Sequence, residues 1–239
     1  MSNRTTLIAA LVVAALAVGA TGVGVAYFVV FAGSSPQKLA LSSPTPTASG
    51  SPTASAGIGA GTWTVASGSV AGYRVREQLA SLSAPSDAVG RTSSVSGSVT
   101  ITQSGSTYTV SAASLTVNVN TLTSDRSMRD QRIHQMGLES DRYPTSTFVL
   151  TTPIVLPAAA TTGQIVDVSA TGQLMIHGVT KTVTIPIQAR LNGTQIELAG
   201  SITFPFSEFG MTPPSIGGFV TVQQNATMEF DLKLAQKGA

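Results

Sequence analysis

The chain of 239 residues contains no cysteine, 5% aromatic residues and only 10% charged residues. Without cysteine it cannot form a disulfide framework, a cysteine-ligated zinc site or a thiol nucleophile. Its charged fraction is far below the quarter of residues that is typical of soluble domains. We therefore expect that part of the chain is not an ordinary soluble domain.

Net charge is small, and its source lies outside the C-terminal part of the chain. From Trp63 onwards there are eleven basic and eleven acidic residues, so the net charge of +2 comes from Arg4 and Lys38. A domain of balanced charge exerts no net attraction on a phosphate backbone. We expect no nucleic-acid partner.

Residues 7–32 form an uncharged apolar run. At about 1.5 Å per residue, a helix of this length exceeds the roughly 30 Å hydrocarbon core of a bilayer. We predict a single transmembrane signal-anchor over residues 7–32, with residues 1–6 in the cytoplasm. The alternative is a cleaved signal peptide and a secreted protein, although the apolar region of such peptides usually has only about 7–15 residues. Both interpretations place the rest of the chain outside the cytoplasm.

Residues 33–62 consist mostly of Ser, Thr, Pro, Ala and Gly. Such a composition buries too little apolar surface to offset the entropy of the chain, so we predict a disordered linker. Residues 63–235 remain as one folded domain.

This domain alternates apolar and polar residues with a period of two, which is typical of β-strands. The phase of the alternation shifts near Ala112 and Ala113, which predicts a bulge, and Asn192 with Gly193 predicts a two-residue hairpin. Long strands joined by short turns indicate an all-β antiparallel meander that closes into a barrel or folds into a sandwich. Small residues at alternating positions would leave room inside a barrel, but they also suit a tight sandwich core: Ala170, Gly172, Ala189, Gly200 and Ala226.

Residues 125–142 interrupt the strand pattern and carry eight of the charges of the domain. Their spacing predicts a short helix that ends at Gly137, with i,i+4 pairs between Asp125 and Arg129 and between Arg126 and Asp130. One interpretation is a solvated helix with local ion pairs. The other is a helix that packs over one end of the barrel, with arginines that bind carboxylates at the strand ends.

Groups that could support catalysis are scarce. The two histidines, His134 and His177, lack the spacing of metal ligands, and no Gly-x-Ser-x-Gly elbow or phosphate-binding glycine loop occurs. The candidate carboxylates each have an arginine within four residues, which favours their ionised form: Asp125, Asp130, Glu139 and Asp141. We expect no enzymatic activity, no catalytic residue, no metal and no cofactor.

Three ordered motifs resemble those of the YceI-like family. Residues 122–148 contain Arg129 and Asp130, Leu138, Tyr143 and Pro144, and Phe148 at the spacing of its signature. Residues 172–181 resemble its G-x-L-x-I-x-G-V-T-[RK] hairpin, and residues 207–211 its [DE]-F-G-M strand end. The first strand departs from the family pattern, because residues 63–75 lack the Asp and the His-Ser pair of many members.

The resemblance implies a lipocalin-like antiparallel barrel with a short helix at one end and an apolar cavity for a polyisoprenoid or similar long lipid, a quinone included. Arg129, Arg132 or His177 would then select the head group. The candidate cavity and mouth residues are Tyr73, Val75, Leu115, Val117, Phe148, Leu174, Ile176, Phe204, Phe209, Met211, Arg129 and His177.

Two functions follow as hypotheses. The first is a membrane-tethered, extracytoplasmic binding protein for an isoprenoid lipid or quinone. The second is a cell-surface interaction or stress-response module with a filled barrel core and no lipid ligand. The volume inside the barrel separates them, since only the first requires an empty interior.

Overall fold

The structure, a computed structural model, describes residues 35–42, 58–79, 85–216 and 220–237. Within these ranges no helix has both the length and the apolar character that a membrane crossing needs. The predicted cytoplasmic residues 1–6, the predicted anchor, residues 7–32, and residues 33–34 and 43–57 of the predicted linker lie outside the described residues.

The described domain is almost entirely β-structure. Its strands are β1 Gly61–Val65, β2 Val70–Leu79, β3 Ser86–Thr92, β4 Val95–Ser104, β5 Thr107–Asn118, β6 Thr145–Leu150, β7 Ile154–Val155, β8 Val166–Ile176, β9 Val179–Asn192, β10 Gln195–Pro205, β11 Ser215–Ile216 and β12 Val220–Gln236. One α-helix, α1, spans Ser127–Gln135. Short 3-10 turns span Val119–Thr121, Ala158–Thr162 and Phe206–Phe209.

All strand pairs are antiparallel, and the sheet closes on itself. Its order is β1-β4-β5-β6-β8-β9-β10-β12-β2-β3, and a further pairing of β1 with β12 joins the two sides. Strands β1 and β2 both pair with β12 and together occupy one position in the wall, and β3 and β4 likewise share the next position. The wall therefore has eight strand positions. The expectation of an antiparallel lipocalin-like barrel is confirmed, and the sandwich alternative is excluded.

Two local predictions are tested by the strand register. The β4–β5 register shifts where Thr100 pairs with Ala112 and Ile101 with Val110, so Ser111 is the extra residue of a bulge beside the predicted position. The β9–β10 hairpin is present, but Asn192 pairs with Gln195. The two loop residues are therefore Gly193 and Thr194, one position later than predicted.

Helix α1 lies at one end of the barrel, because it connects the end of β5 to the start of β6. Gly137 follows it with a φ of 74°, which fits the predicted helix stop. This end also contains the β8–β9 turn at His177 and Gly178, and we call it the helix end. The predicted pair of Arg126 and Asp130 is not formed, since Asp130 Oδ1 accepts hydrogen bonds from the backbone N and the hydroxyl of Ser124 at 2.9 and 2.6 Å.

Packed side chains fill the opposite end, which we call the tryptophan end. Trp63 is 2% exposed there and packs with Ile58, Ala160 and Leu234. Its indole N–H donates to the carbonyl of Gly59 at 3.0 Å. This cluster buries the apolar faces of several strand ends at once.

Parts of the predicted linker belong to the folded domain. Strand β1 begins at Gly61, and Ile58 is 4% exposed, so ordered structure starts before the predicted boundary at Trp63. Residues 37–42 lie against the outer wall of the barrel, where Arg91 donates to the carbonyl of Gln37 and Arg190 to that of Ser42. Composition alone predicts disorder for these residues because it does not reveal the charged side chains that bind their backbone.

Candidate ligand-binding cavity

The barrel encloses a cavity of about 700 Å³. Its wall is built from the inward-facing positions of the strands, which alternate with exposed outward positions, as in β9, where Val183 and Ile185 are buried and Thr184 is exposed. Apolar side chains dominate the lining, which runs from the helix end to the tryptophan end. The volume lies within the range of about 300–1,000 Å³ that is usual for small-molecule sites.

Aromatic rings inside the barrel lie on glycines of neighbouring strands. A Cβ atom on Gly90 would be 2.2 Å from Cε1 of Tyr73, and one on Gly200 would be 2.7 Å from Cζ of Phe230. A Cβ atom on Gly172 would likewise be 2.6 Å from Cζ of Phe148. Gly172 and Gly200, predicted to leave room inside the barrel, instead accommodate rings, and the cavity lies between those rings.

Charged groups concentrate at the helix end of the cavity. Glu77, an inward-facing residue of β2, is 5% exposed, and its Oε1 lies 2.6 Å from Nη2 of Arg129 on α1. Arg129 also pairs with Asp125 and donates to the hydroxyl of Ser124 at 3.2 Å. Burial alone would lower the pKa of Arg129, but Glu77 and Asp125 raise it above its usual value. This ion pair joins α1 to the barrel wall, as the second interpretation of the helix predicts.

The hydroxyl of Tyr73 is buried in this region and has no hydrogen-bond partner among the described residues. Its ring lines the cavity, and its hydroxyl oxygen is shielded from solvent. Burial raises the pKa of Tyr73, so the hydroxyl stays protonated and remains a donor at neutral pH.

Sequence comparison agrees with this architecture. Residues 63–234 match the YceI-like domain family. The chain belongs to this family.

One solved structure shares the fold of this YceI-like domain. A polyisoprenoid binding domain from Saccharophagus degradans, described as implicated in plant cell wall breakdown, has a TM-score of 0.54 and 14% identity, and the match covers 74% of this chain and 99% of that one. BcnA of Burkholderia cenocepacia has a TM-score of 0.48 and 20% identity, covering 67% of this chain and 95% of the other. A search of curated protein sequences gave no match.

Ten of the twelve predicted site residues line the cavity of the YceI-like domain. They are Tyr73, Val75, Leu115, Val117, Arg129, Phe148, Leu174, Ile176, Phe204 and Met211. They come from β2, β5, β6, β8, β10, α1 and the segment after the last 3-10 turn.

The other two, Phe209 and His177, lie outside the lining. Phe209 is completely buried and packs edge-on against Phe204, with ring centroids 4.8 Å apart. His177 occupies the β8–β9 turn with a φ of 53°, and its Nδ1 donates to the carbonyl of Phe209 at 3.2 Å. Its Nε2 lies 3.3 Å from Oε1 of Glu139 but makes no hydrogen bond among the described residues, and the side chain does not line the cavity.

The sequence pattern does not identify Glu77 as a residue of the site. The alternation of Tyr73, Val75 and Glu77 along β2 places all three on the same face, but an acidic residue in such a pattern is ordinarily assigned to the surface. Its partner Arg129 is a candidate mouth residue from the family motif, and the helix pattern predicts that arginines of this segment bind carboxylates at the strand ends. Within the part of the chain that the structure describes, no cluster of His, Asp and Glu side chains suits a metal ion.

Proposed function

We propose that this YceI-like protein binds a long-chain isoprenoid lipid or quinone inside the barrel. The observation that carries the proposal is the cavity of about 700 Å³, which is apolar along its length and has ionised groups at the helix end. An amphiphile matches this distribution if its chain lies in the barrel and its head lies beneath α1. Each CH₂ group removed from water contributes about 0.8 kcal/mol before the costs of ordering the chain.

The comparison with known structures supports this choice of ligand class. The structural neighbour from Saccharophagus degradans is described as a polyisoprenoid binding domain, and this chain covers 99% of it. The alternative hypothesis, an interaction or stress-response module, requires a filled core, and the open cavity argues against it. The proposal involves no catalytic step.

Native mass spectrometry of the full-length chain in detergent, combined with solvent extraction, tests the proposal. Wild-type protein is expected to release an isoprenoid lipid in near-stoichiometric amount. In an Ala189→Phe variant the new ring would occupy the cavity, which Ala189 lines, and we expect the yield of lipid to fall severalfold. Gln188→Phe places the same ring on the exposed outer face and serves as the matched control.

Two outcomes bear directly on the proposal. Equal lipid yields from Ala189→Phe and Gln188→Phe would mean that the lipid adheres outside the barrel. The absence of lipid from wild-type protein, even after incubation with isoprenoids, would exclude the function. Thermal melts of both variants confirm that they are folded.

We further propose that residues 7–32 tether the protein to the cell membrane and that the barrel is extracytoplasmic. The uncharged apolar run supports this location. A C-terminal epitope tag is expected to be digested when intact cells or spheroplasts are treated with protease. A variant that lacks residues 7–32 should leave its tag protected in the cytoplasm. Protection of the wild-type tag would contradict the proposal.

A further inference from the structure

The charged residues that line the helix end of the cavity are not balanced. They comprise three arginines and two carboxylates: Arg126, Arg129, Arg132, Glu77 and Asp125. One positive charge is therefore left over. Asp130 does not supply the missing negative charge to the cavity, because its carboxylate accepts two hydrogen bonds from Ser124.

Two of the three arginines have carboxylate partners. Arg129 lies between Glu77 and Asp125 and binds both. Arg126 Nε lies 3.8 Å from Oδ2 of Asp125, although both of these side chains are largely exposed. These carboxylates already satisfy Arg129, so an incoming anion would have to compete with Glu77 for it.

Arg132 differs from both. Among the described residues it makes no ion pair, and its Nη1 contacts only the thioether sulfur of Met136, at 3.6 Å. Arg129 precedes Arg132 and Ile133 by three and four residues, so these three residues share one face of α1, and they line the cavity together with Met136, which follows the helix. Arg132, a residue of intermediate exposure, therefore lies at the end of an apolar cavity without a counter-charge among the described residues.

We propose that the lipid in the barrel has an anionic, oxygen-rich head group of the phosphate-monoester type and that Arg132 binds this head group. This inference rests on the proposed function and narrows its ligand class. A guanidinium forms its strongest hydrogen bonds with phosphate and carboxylate oxygens. Among the residues that the structure describes, the Tyr73 hydroxyl is a second donor at this end without an acceptor, which also favours a head group rich in acceptors over a hydrocarbon end. Quinones and isoprenoid alcohols are expected to bind more weakly than the phosphate.

Competition in native mass spectrometry tests the inference with the full-length, delipidated chain in detergent. The probes are a polyprenyl phosphate, the corresponding polyprenol and an isoprenoid hydrocarbon of the same chain length. Wild-type protein is expected to prefer the phosphate over the alcohol by about tenfold, as one charge-assisted hydrogen bond provides. Arg132→Gln should reduce this ratio to near one while it leaves the affinity for the alcohol unchanged.

Two further variants separate a specific contact from a general effect of charge. Arg142→Gln removes a guanidinium of the same segment that is 73% exposed and does not line the cavity, and it should retain the wild-type preference. Arg129→Gln breaks the link to Glu77 and should change the affinities for all three probes by a similar factor. Thermal melts show that each variant is folded.

The possible results assign success or failure to the two proposals separately. Binding of all probes without a preference for the phosphate, or a preference that persists in Arg132→Gln, overturns the inference and leaves the proposed function intact. Loss of the preference in Arg129→Gln alone assigns the head group to Arg129 and also overturns it. Failure of every probe to bind, the hydrocarbon included, overturns the proposed function itself.

Discussion

Arg190 and Glu197 lie directly opposite each other on β9 and β10, with Nη2 2.7 Å from Oε2, on the outer face of the barrel wall. Their side chains are nevertheless only 8% and 6% exposed. Ser42 covers them: Arg190 donates to its hydroxyl at 2.8 Å, and that hydroxyl donates to Glu197 at 3.0 Å. An outward-facing ion pair is thereby buried beneath a segment that precedes the barrel in sequence.

The first prediction follows from this burial. Glu197→Ala leaves the Arg190 guanidinium buried without its counter-charge, so we expect the free energy of unfolding to fall by about 3 kcal/mol. Urea denaturation of the full-length chain in detergent measures it. Asp167→Ala is the control, because Asp167 accepts a hydrogen bond from Gln188 on the exposed outer surface and should cost less than about 0.5 kcal/mol. Equal losses for the two variants would contradict the buried character of the pair.

The second prediction concerns acid stability. Burial alone would raise the pKa of Glu197, but hydrogen bonds from Asn192, Arg190 and Ser42 lower it below its usual value of 4.5. Burial alone would also raise the pKa of Asp87, but hydrogen bonds from Arg76 and Arg74 lower it below its usual value. Because both pKa values are lower in the folded state, the unfolded chain binds more protons at acidic pH. The stabilisation is therefore complete above the unfolded values and is lost as pH falls through the folded ones.

Unfolding free energies measured between about pH 6 and pH 2 test this dependence. Wild-type stability should decline steadily below about pH 4.5. Glu197→Gln is less stable at neutral pH, but it should show a smaller decline because it lacks one of the titrating groups. A decline of the same size in both proteins would show that Glu197 does not contribute to acid lability.

How much of this structure was predictable depends on whether the sequence pattern itself carried the information. Inward-facing residues such as Leu174 and Ile185 follow from the period of two, and the bulge beside Ala112 follows from its change of phase. The buried state of Glu77 did not follow, because its partner Arg129 is fifty-two positions away in the chain and only the closed barrel brings them together. The contact of residues 37–42 with the wall does not follow from the sequence pattern either, because arginines distant in the chain make it.

The third prediction concerns the glycines beneath aromatic rings. A Cβ atom on Gly200 would lie 2.7 Å from the backbone oxygen of Pro186 and 2.7 Å from Cζ of Phe230. Because a backbone atom cannot move aside, we expect Gly200→Ala to destabilise the fold by about 1–3 kcal/mol. Gly105 is the control: its φ is 58°, and no described atom beyond its two chain neighbours lies within 4 Å of its Cβ position, so Gly105→Asn should be nearly neutral. A neutral Gly200→Ala would mean that the ring and strand are less closely packed than the structure shows.

The fourth prediction concerns the Tyr73 hydroxyl, which is buried without a partner among the described residues. An unsatisfied buried hydroxyl costs about 1–3 kcal/mol, and Tyr73→Phe removes it while the ring keeps its place over Gly90. We expect the delipidated variant to be about 1 kcal/mol more stable than wild type, which raises its Tm by roughly 2–4 °C for a domain of this size.

Calorimetry or circular dichroism of delipidated protein measures the change for Tyr73→Phe, with Tyr143→Phe at the helix end as a control that should shift the Tm by no more than about 1 °C. The direction of the Tm change for Tyr73→Phe is the decisive result. A hydroxyl that destabilises the empty protein is expected where a ligand supplies the missing acceptor. Added lipid should therefore raise the stability of Tyr73→Phe by less than it raises that of wild type. A lower Tm for delipidated Tyr73→Phe would instead show that the hydroxyl already has a stabilising partner in the empty barrel.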